Sequence, residues 1–228
     1  MEEKQAWRMI RERVVLMNRK RNGSVRQLEP SGFSLRAEDL EDPSNLERDG
    51  VRLILAFNLL LTALKDARRK LPYPSFLHCL QVANWMYRMG FSVTAQCVGF
   101  HHDSVEDGLL TEETIAQWLG DDVRAGVSAL SRPKRSSVAD PVPEYWRKLG
   151  LAARQKPEIV AVKLMDQVDN LHSGFFLVHS PERVAEKLAE IRQYLVPLAK
   201  EVQQRHPLLR AYVNVLDCWC GEDFIQLV

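Results

Sequence analysis

Apolar side chains recur every three to four positions along most of this chain, and stretches that alternate strictly between apolar and polar are hard to find. That spacing gathers apolar groups on one face of a helix, so it predicts an all-α chain. Trp7, Ile10, Val14 and Met17 give an amphipathic helix over residues 2–20, followed by a Gly-, Ser- and Pro-containing connector over 21–48. The chain therefore divides into an N-terminal helical arm with its linker, residues 1–44, and a helical domain, residues 45–228.

Within that domain the pattern predicts a long apolar helix from Val51 to Lys70 and a second from Ser75 to Met89, closed by Gly90. Ser92 is placed to cap a third helix running through Val98 to Asp107, with Gly108 as its stop, and Thr111 to cap a short fourth. Arg132 to Pro143, basic and then Pro-rich, reads as a loop within the domain. Further helices are expected near 144–155, 157–172, 181–204 and 207–218. Pro157, Pro181 and Pro207 each stand where a first turn tolerates a residue without an amide proton.

Charge narrows the partners. With 31 basic and 30 acidic side chains the net charge is +1, which calls for neither nucleic acid nor an anionic membrane surface. The cluster Arg19, Lys20, Arg21 is too short to change that. The most apolar stretch, Val51 to Leu64, is interrupted by Arg52, Asn58 and Thr62 and falls short of the roughly 18 apolar residues of a membrane span. Cys79, Cys97, Cys218 and Cys220 form no C-x-x-C pair. They read as reduced thiols of a cytoplasmic protein. A homo-oligomer is possible on apolar C-terminal positions such as Leu209, Tyr212, Val213 and Leu216, although core packing explains them as well.

The chemistry lies in four separated pieces: His78, the pair His102 and Asp103, the pair Glu106 and Asp107, and Asp166. On a continuous helix His102 stands one turn from Glu106, and Asp103 one turn from Asp107. The apolar run VTAQCVGF before them points this edge into a cleft rather than across an open face. Lys163, Asp166 and Asn170 share one face of another helix, with Val160, Leu164, Val168 and Leu171 turned to the core. Imidazole and carboxylate together suit Mn2+, Fe2+ or Zn2+, and the absence of cysteine argues against a purely structural zinc. His101 turns about 100° away from its neighbour and reads as structural; His172, His179 and His206 have no partner pattern.

The segments RRKLPYPSFLHCLQVA, HHDSVEDG and VKLMDQVDNL resemble, in order and approximate spacing, the hydrolase domain of the Rel/Spo-type alarmone enzymes. These belong to the HD-domain phosphohydrolases, and the short chain looks most like the small alarmone hydrolases. The resemblance covers about residues 45–205. It implies an HD-type helical bundle in which His78, His102, Asp103 and Asp166 hold one divalent metal, usually Mn2+. It implies that Glu106 and Asp107 orient or deprotonate the attacking water, and that Arg69, Lys70 and Asn170 contact the nucleotide. Cys79, Leu71 and Asp169 depart from the family pattern and are expected to alter the nucleotide-facing wall.

The reaction so implied is release of pyrophosphate from the 3′ position of guanosine tetra- or pentaphosphate (ppGpp or pppGpp), leaving GDP or GTP. Removal of the 2′-phosphate of NADPH, or of a phosphate from another nucleotide, keeps the same chemistry with a different substrate. A module that binds an alarmone without cleaving it belongs to a third class. Retention of Glu106 and Asp107, expected to be costly buried charges, argues against that third reading.

Overall fold

The computed structural model describes residues 49–64, 75–132, 141–172 and 178–221. The expected N-terminal arm, Arg69, Lys70, Leu71 and most of the loop after Arg132 lie outside these residues. Among the described residues every regular element is helical, as the apolar spacing predicts. No helix among them is long and apolar enough to cross a membrane.

The elements are α1 (Asp49–Ala63), α2 (Ser75–Arg88), α3 (Val93–His101), α4 (Glu112–Leu119), α5 (Asp121–Leu130), α6 (Pro141–Gln155), α7 (Glu158–His172), α8 (Pro181–Glu190), α9 (Val196–Val202) and α10 (Arg210–Trp219). The two predicted caps form. Ser92 Oγ accepts from the Ala95 amide at 3.1 Å and Thr111 Oγ1 from the Thr114 amide at 3.2 Å. Each satisfies one of the orphan donors of a first turn, worth about 1 kcal/mol. Gly90, at φ +72°, turns the chain between α2 and α3 in a conformation that side chains disfavour.

The periodic reading did not separate α5 (Asp121–Leu130), and α6 begins at Pro141, inside the segment read as a loop. Three further boundaries differ, each for a local reason. The helix expected to reach Asp107 ends at His101, and residues 102–108 form tightened turns. The Ser104 amide returns to the His101 carbonyl, only three residues back, and the Gly99 carbonyl takes the ring N–H of His102. Beyond Pro181 the single expected helix is split by a wider turn, Ile191–Leu195, with the Val196 amide reaching the Ile191 carbonyl. Pro197 lies just beyond. It has no amide to donate, and its ring crowds the carbonyl four residues back, so the helix accommodates it by widening. Pro207 opens a short 3-10 turn, Pro207–Leu209, and α10 proper starts at Arg210.

The central element is α7, which packs against α2, α3, α5, α6, α9 and α10. It is buried nearly all round, from Ile159 to Asp169 and at Leu171, not just on the expected apolar face. Such a helix belongs in the middle of a bundle. Polar groups carried on it are therefore surrounded by protein, which is how Lys163, Asp166, Gln167 and Asp169 come to be buried. The most extensive helix pair is α2 against α3, where a Cβ on Gly99 would stand 3.0 Å from Ala83 Cα. The missing side chain lets the two backbones approach and brings the histidine-bearing positions of α2 and α3 together.

Candidate functional site

Three elements deliver four side chains to one point. His78 comes from the first turn of α2, His102 and Asp103 from the residues that end α3, and Asp166 from the middle of α7. One ligand atom from each lies within 4.8 Å of all the others. His78 Nε2 stands 3.1 Å from His102 Nε2 and 3.2 Å from Asp166 Oδ1, and His102 Nε2 stands 3.2 Å from Asp103 Oδ2. Ligand atoms about 2.1 Å from one shared cation stand roughly 3.0–3.4 Å from each other, so these three separations suit a shared cation, while His102 Nε2 to Asp166 Oδ1 at 3.6 Å and His78 Nε2 to Asp103 Oδ2 at 3.8 Å are longer.

The imidazoles are aimed from behind. His78 Nδ1 lies 2.6 Å from Asp169 Oδ2, and His102 Nδ1 lies 2.8 Å from the Gly99 carbonyl oxygen. Both partners are acceptors, so each Nδ1 carries the hydrogen and each Nε2 presents a lone pair to the cluster. Two lone pairs facing each other across 3.1 Å, flanked by two carboxylate oxygens, form a set of acceptors that only a cation satisfies. The residues fit a divalent metal. Without one, burial disfavours charge on His102, but Asp103 and Asp166 outweigh it and hold a proton on the ring well above the usual imidazole range. For Asp103 burial again opposes ionisation, and the His102 charge prevails, holding the carboxyl at about 2.

Asp166 is supported on its other side. Lys163 Nζ donates to Oδ2 at 2.8 Å, Gln167 Nε2 to Oδ2 at 2.6 Å, and Asn170 Nδ2 to Oδ1 at 2.5 Å. Burial disfavours both charges of this ion pair, but Lys163 stays charged through Asp166, and Asp166 stays ionised through Lys163 and the two histidines. The predicted face of Lys163, Asp166 and Asn170 is thus real. His101 is the structural residue expected: its Nε2 lies 2.9 Å from the Ala56 carbonyl, and burial, with the neighbouring His102 charge, lowers it to about 4.

His78, Asp103 and Asp166 of the cluster line a cavity of about 490 Å³, within the range of small-molecule sites. Glu106, Asp107 and Asn170 line it, as do Cys79 and Gln167. Glu106 and Asp107 are exposed, which corrects the expectation of buried charges: ending α3 at His101 swings them to the mouth. Their retention therefore carries less weight against a binding-only module. Glu106 Oε2 accepts from the Arg132 amide at 3.1 Å. Arg132 is itself placed by Lys148, whose Nζ donates to the Ser128 and Ser131 carbonyls at the end of α5.

Residue type and spacing missed several positions. Asp169 was read as part of the nucleotide-facing wall, but it backs His78. His179, which had no pattern, lines the cavity, as do Arg132, Arg183 and Lys187. The spacing of Arg183 and Lys187, four apart on α8, was the available signal. It lacked force because many solvated helix faces carry the same pair.

Family comparison agrees with this geometry, since the HD domain family model matches residues 56–202. This chain belongs to the HD domain family. Similar curated proteins include a probable GTP pyrophosphokinase of Mycobacterium leprae, 33% identical over 129 residues. Another is a probable guanosine-3′,5′-bis(diphosphate) 3′-pyrophosphohydrolase of Synechocystis, 30% identical over 138 residues. The alignments cover 55% and 59% of this chain but only 16% and 18% of those proteins. A solved structure described as a metazoan ortholog of SpoT that hydrolyzes ppGpp superposes with a TM-score of 0.59. It covers 75% of this chain and 96% of its own, at 17% identity, a likeness of fold.

Proposed function

We propose that this HD-domain chain is a Mn2+-dependent phosphohydrolase that cleaves pyrophosphate from the 3′ position of guanosine tetra- or pentaphosphate. The observation that carries the reading is the convergence of two imidazole nitrogens and two carboxylate oxygens at a nucleotide-sized cavity that His78, Asp103, Asp166, Glu106 and Asp107 line. The names of two similar curated proteins support this substrate. His78, His102, Asp103 and Asp166 would hold the cation, and Arg69, Lys70 and Asn170 would contact the nucleotide. When bound, the cation supplies positive charge against the phosphoryl oxygens and acidifies water.

The chain's own residues do the rest. Asp169 and the Gly99 carbonyl fix the ring orientation of the histidines, and Lys163 keeps Asp166 ionised and turned. Glu106 or Asp107 accepts a proton from the attacking water. The water oxygen bonds to the phosphorus attached to the ribose 3′ oxygen, that P–O bond breaks, and the 3′ oxygen leaves as a hydroxyl after gaining a proton. Water and guanosine tetraphosphate are consumed, and GDP and pyrophosphate are formed.

The test incubates metal-stripped protein with guanosine tetraphosphate, with and without Mn2+, and resolves the products by anion exchange. GDP and pyrophosphate that require Mn2+ are expected. Mn2+-loaded protein that yields no product overturns the reading, and orthophosphate released from NADPH in a parallel tube redirects it to that substrate.

A further inference from the structure

The cavity is lined by groups of both charges: Asp103, Glu106, Asp107 and Asp166, and Arg132, Lys163, Arg183 and Lys187. Most of these cations are balanced by a neighbour. Lys163 is taken by Asp166 at 2.8 Å, Arg132 by Glu190 at 2.5 Å, and Arg183 by Glu186 at 3.1 Å.

Lys187 differs. Its ammonium makes no hydrogen bond or ion pair among the described residues. Glu190, three residues on, is occupied by Arg132 and by Trp146 Nε1 at 2.8 Å. Asp166 is already held by Lys163, Gln167 and Asn170. Lys187 is packed about by protein and only half-exposed, so water compensates it poorly. Burial lowers it to about 8, repulsion from Lys163 and Arg132 adds to the effect, and the charges of Glu190 and Asp166 offset it only in part.

We infer that Lys187, with Arg183 one turn before it on α8, forms a subsite for a phosphate group of the substrate other than the one under attack. This rests on the phosphohydrolase reading above. A substrate with phosphoryl groups at two places would set one over the His and Asp cluster and the other against α8. A compact ammonium and a forked guanidinium on one helix face both suit phosphate oxygens. Such a subsite would favour nucleotides carrying a second phosphorylated position over those with one.

The experiment measures binding of inorganic pyrophosphate to metal-stripped protein in EDTA by calorimetry, where the His and Asp cluster repels the ligand and Lys187 with Arg183 attracts it. Wild type binds, Lys187→Met weakens binding about 10-fold or more, and Lys187→Arg retains it. The rise in melting temperature on adding Mn2+ stays the same in all three proteins, which shows that the fold and the cation cluster are intact. No binding by wild type, or equal binding by Lys187→Met, overturns the subsite. Failure of the hydrolase reading shows differently, as Mn2+-loaded protein that leaves guanosine tetraphosphate intact while pyrophosphate binding still depends on Lys187.

Discussion

Two polar clusters tie helices of this bundle together, and they are built on opposite principles. Arg52 on α1 donates to Asp122 Oδ1 at 2.6 Å and to the Leu119 carbonyl at 2.8 Å, while Thr94 on α3 donates to Asp122 Oδ2 at 2.5 Å. Donors there meet acceptors, and the cluster is complete with protein atoms alone. At the other end of α3, His78, His102, Asp103 and Asp166 bring acceptors against acceptors. A cluster whose bonding closes within the protein stabilises the fold, whereas one left with surplus lone pairs is stabilised by something added. The same contrast, with sign reversed, separates Lys187 from the paired cations around it.

The comparison breaks most sharply on catalysis. Asp103→Ala is expected to cut Mn2+-dependent turnover by about 10³-fold or more, since it removes a ligand and several kcal/mol of charge stabilisation. It should also abolish the rise in melting temperature that the cation gives wild type, a linkage worth about 2.7 kcal/mol at a hundredfold excess over Kd. Asp122→Ala should leave that rise and the turnover in place. If both variants keep the rise, the His and Asp cluster is not where the cation binds.

Asp169→Asn tests the support behind the cluster. Weaker alignment of His78 is expected to reduce cation affinity about 10- to 100-fold, measured by Mn2+ titration of the metal-stripped protein. An unchanged affinity would make the 2.6 Å contact with His78 incidental to the site.

On stability the order reverses. Asp122→Ala strands the largely buried Arg52 guanidinium and is expected to cost about 2 kcal/mol in denaturant unfolding. Acid sharpens the same point by a smaller amount. Burial opposes ionisation of Asp122, but the hydrogen bonds from Arg52 and Thr94 prevail and hold its carboxyl below the usual range. A depressed folded-state value stabilises the protein above the unfolded carboxylate range, and this is lost as pH falls through the folded value. Asp122→Asn should therefore flatten part of the acid limb of the stability curve, read from melting temperatures of metal-free protein between neutral pH and about pH 3.

Helix kind was legible in the sequence because the apolar spacing of three to four is a local property, repeated within each segment; helix number was not, since α5 (Asp121–Leu130) was not separated from its neighbours and the segment after Pro181 holds two helices. The caps at Ser92 and Thr111 were legible for the same reason, since a hydroxyl reaches an amide three residues away. So were the residues of the cluster, whose types and order are written in the chain. Three things were decided by tertiary structure. The end of α3 at His101 depends on the pinned His102 ring, which points where α2 and α7 require. Asp169 supports His78 across 91 positions of sequence. Lys187 makes no hydrogen bond or ion pair among the described residues, where Glu190 and Asp166 are already engaged by Arg132, Trp146 and Lys163. Composition and spacing state which groups a chain carries, but whether a charge is satisfied depends on every neighbour that packing brings to it, and those neighbours come from distant segments.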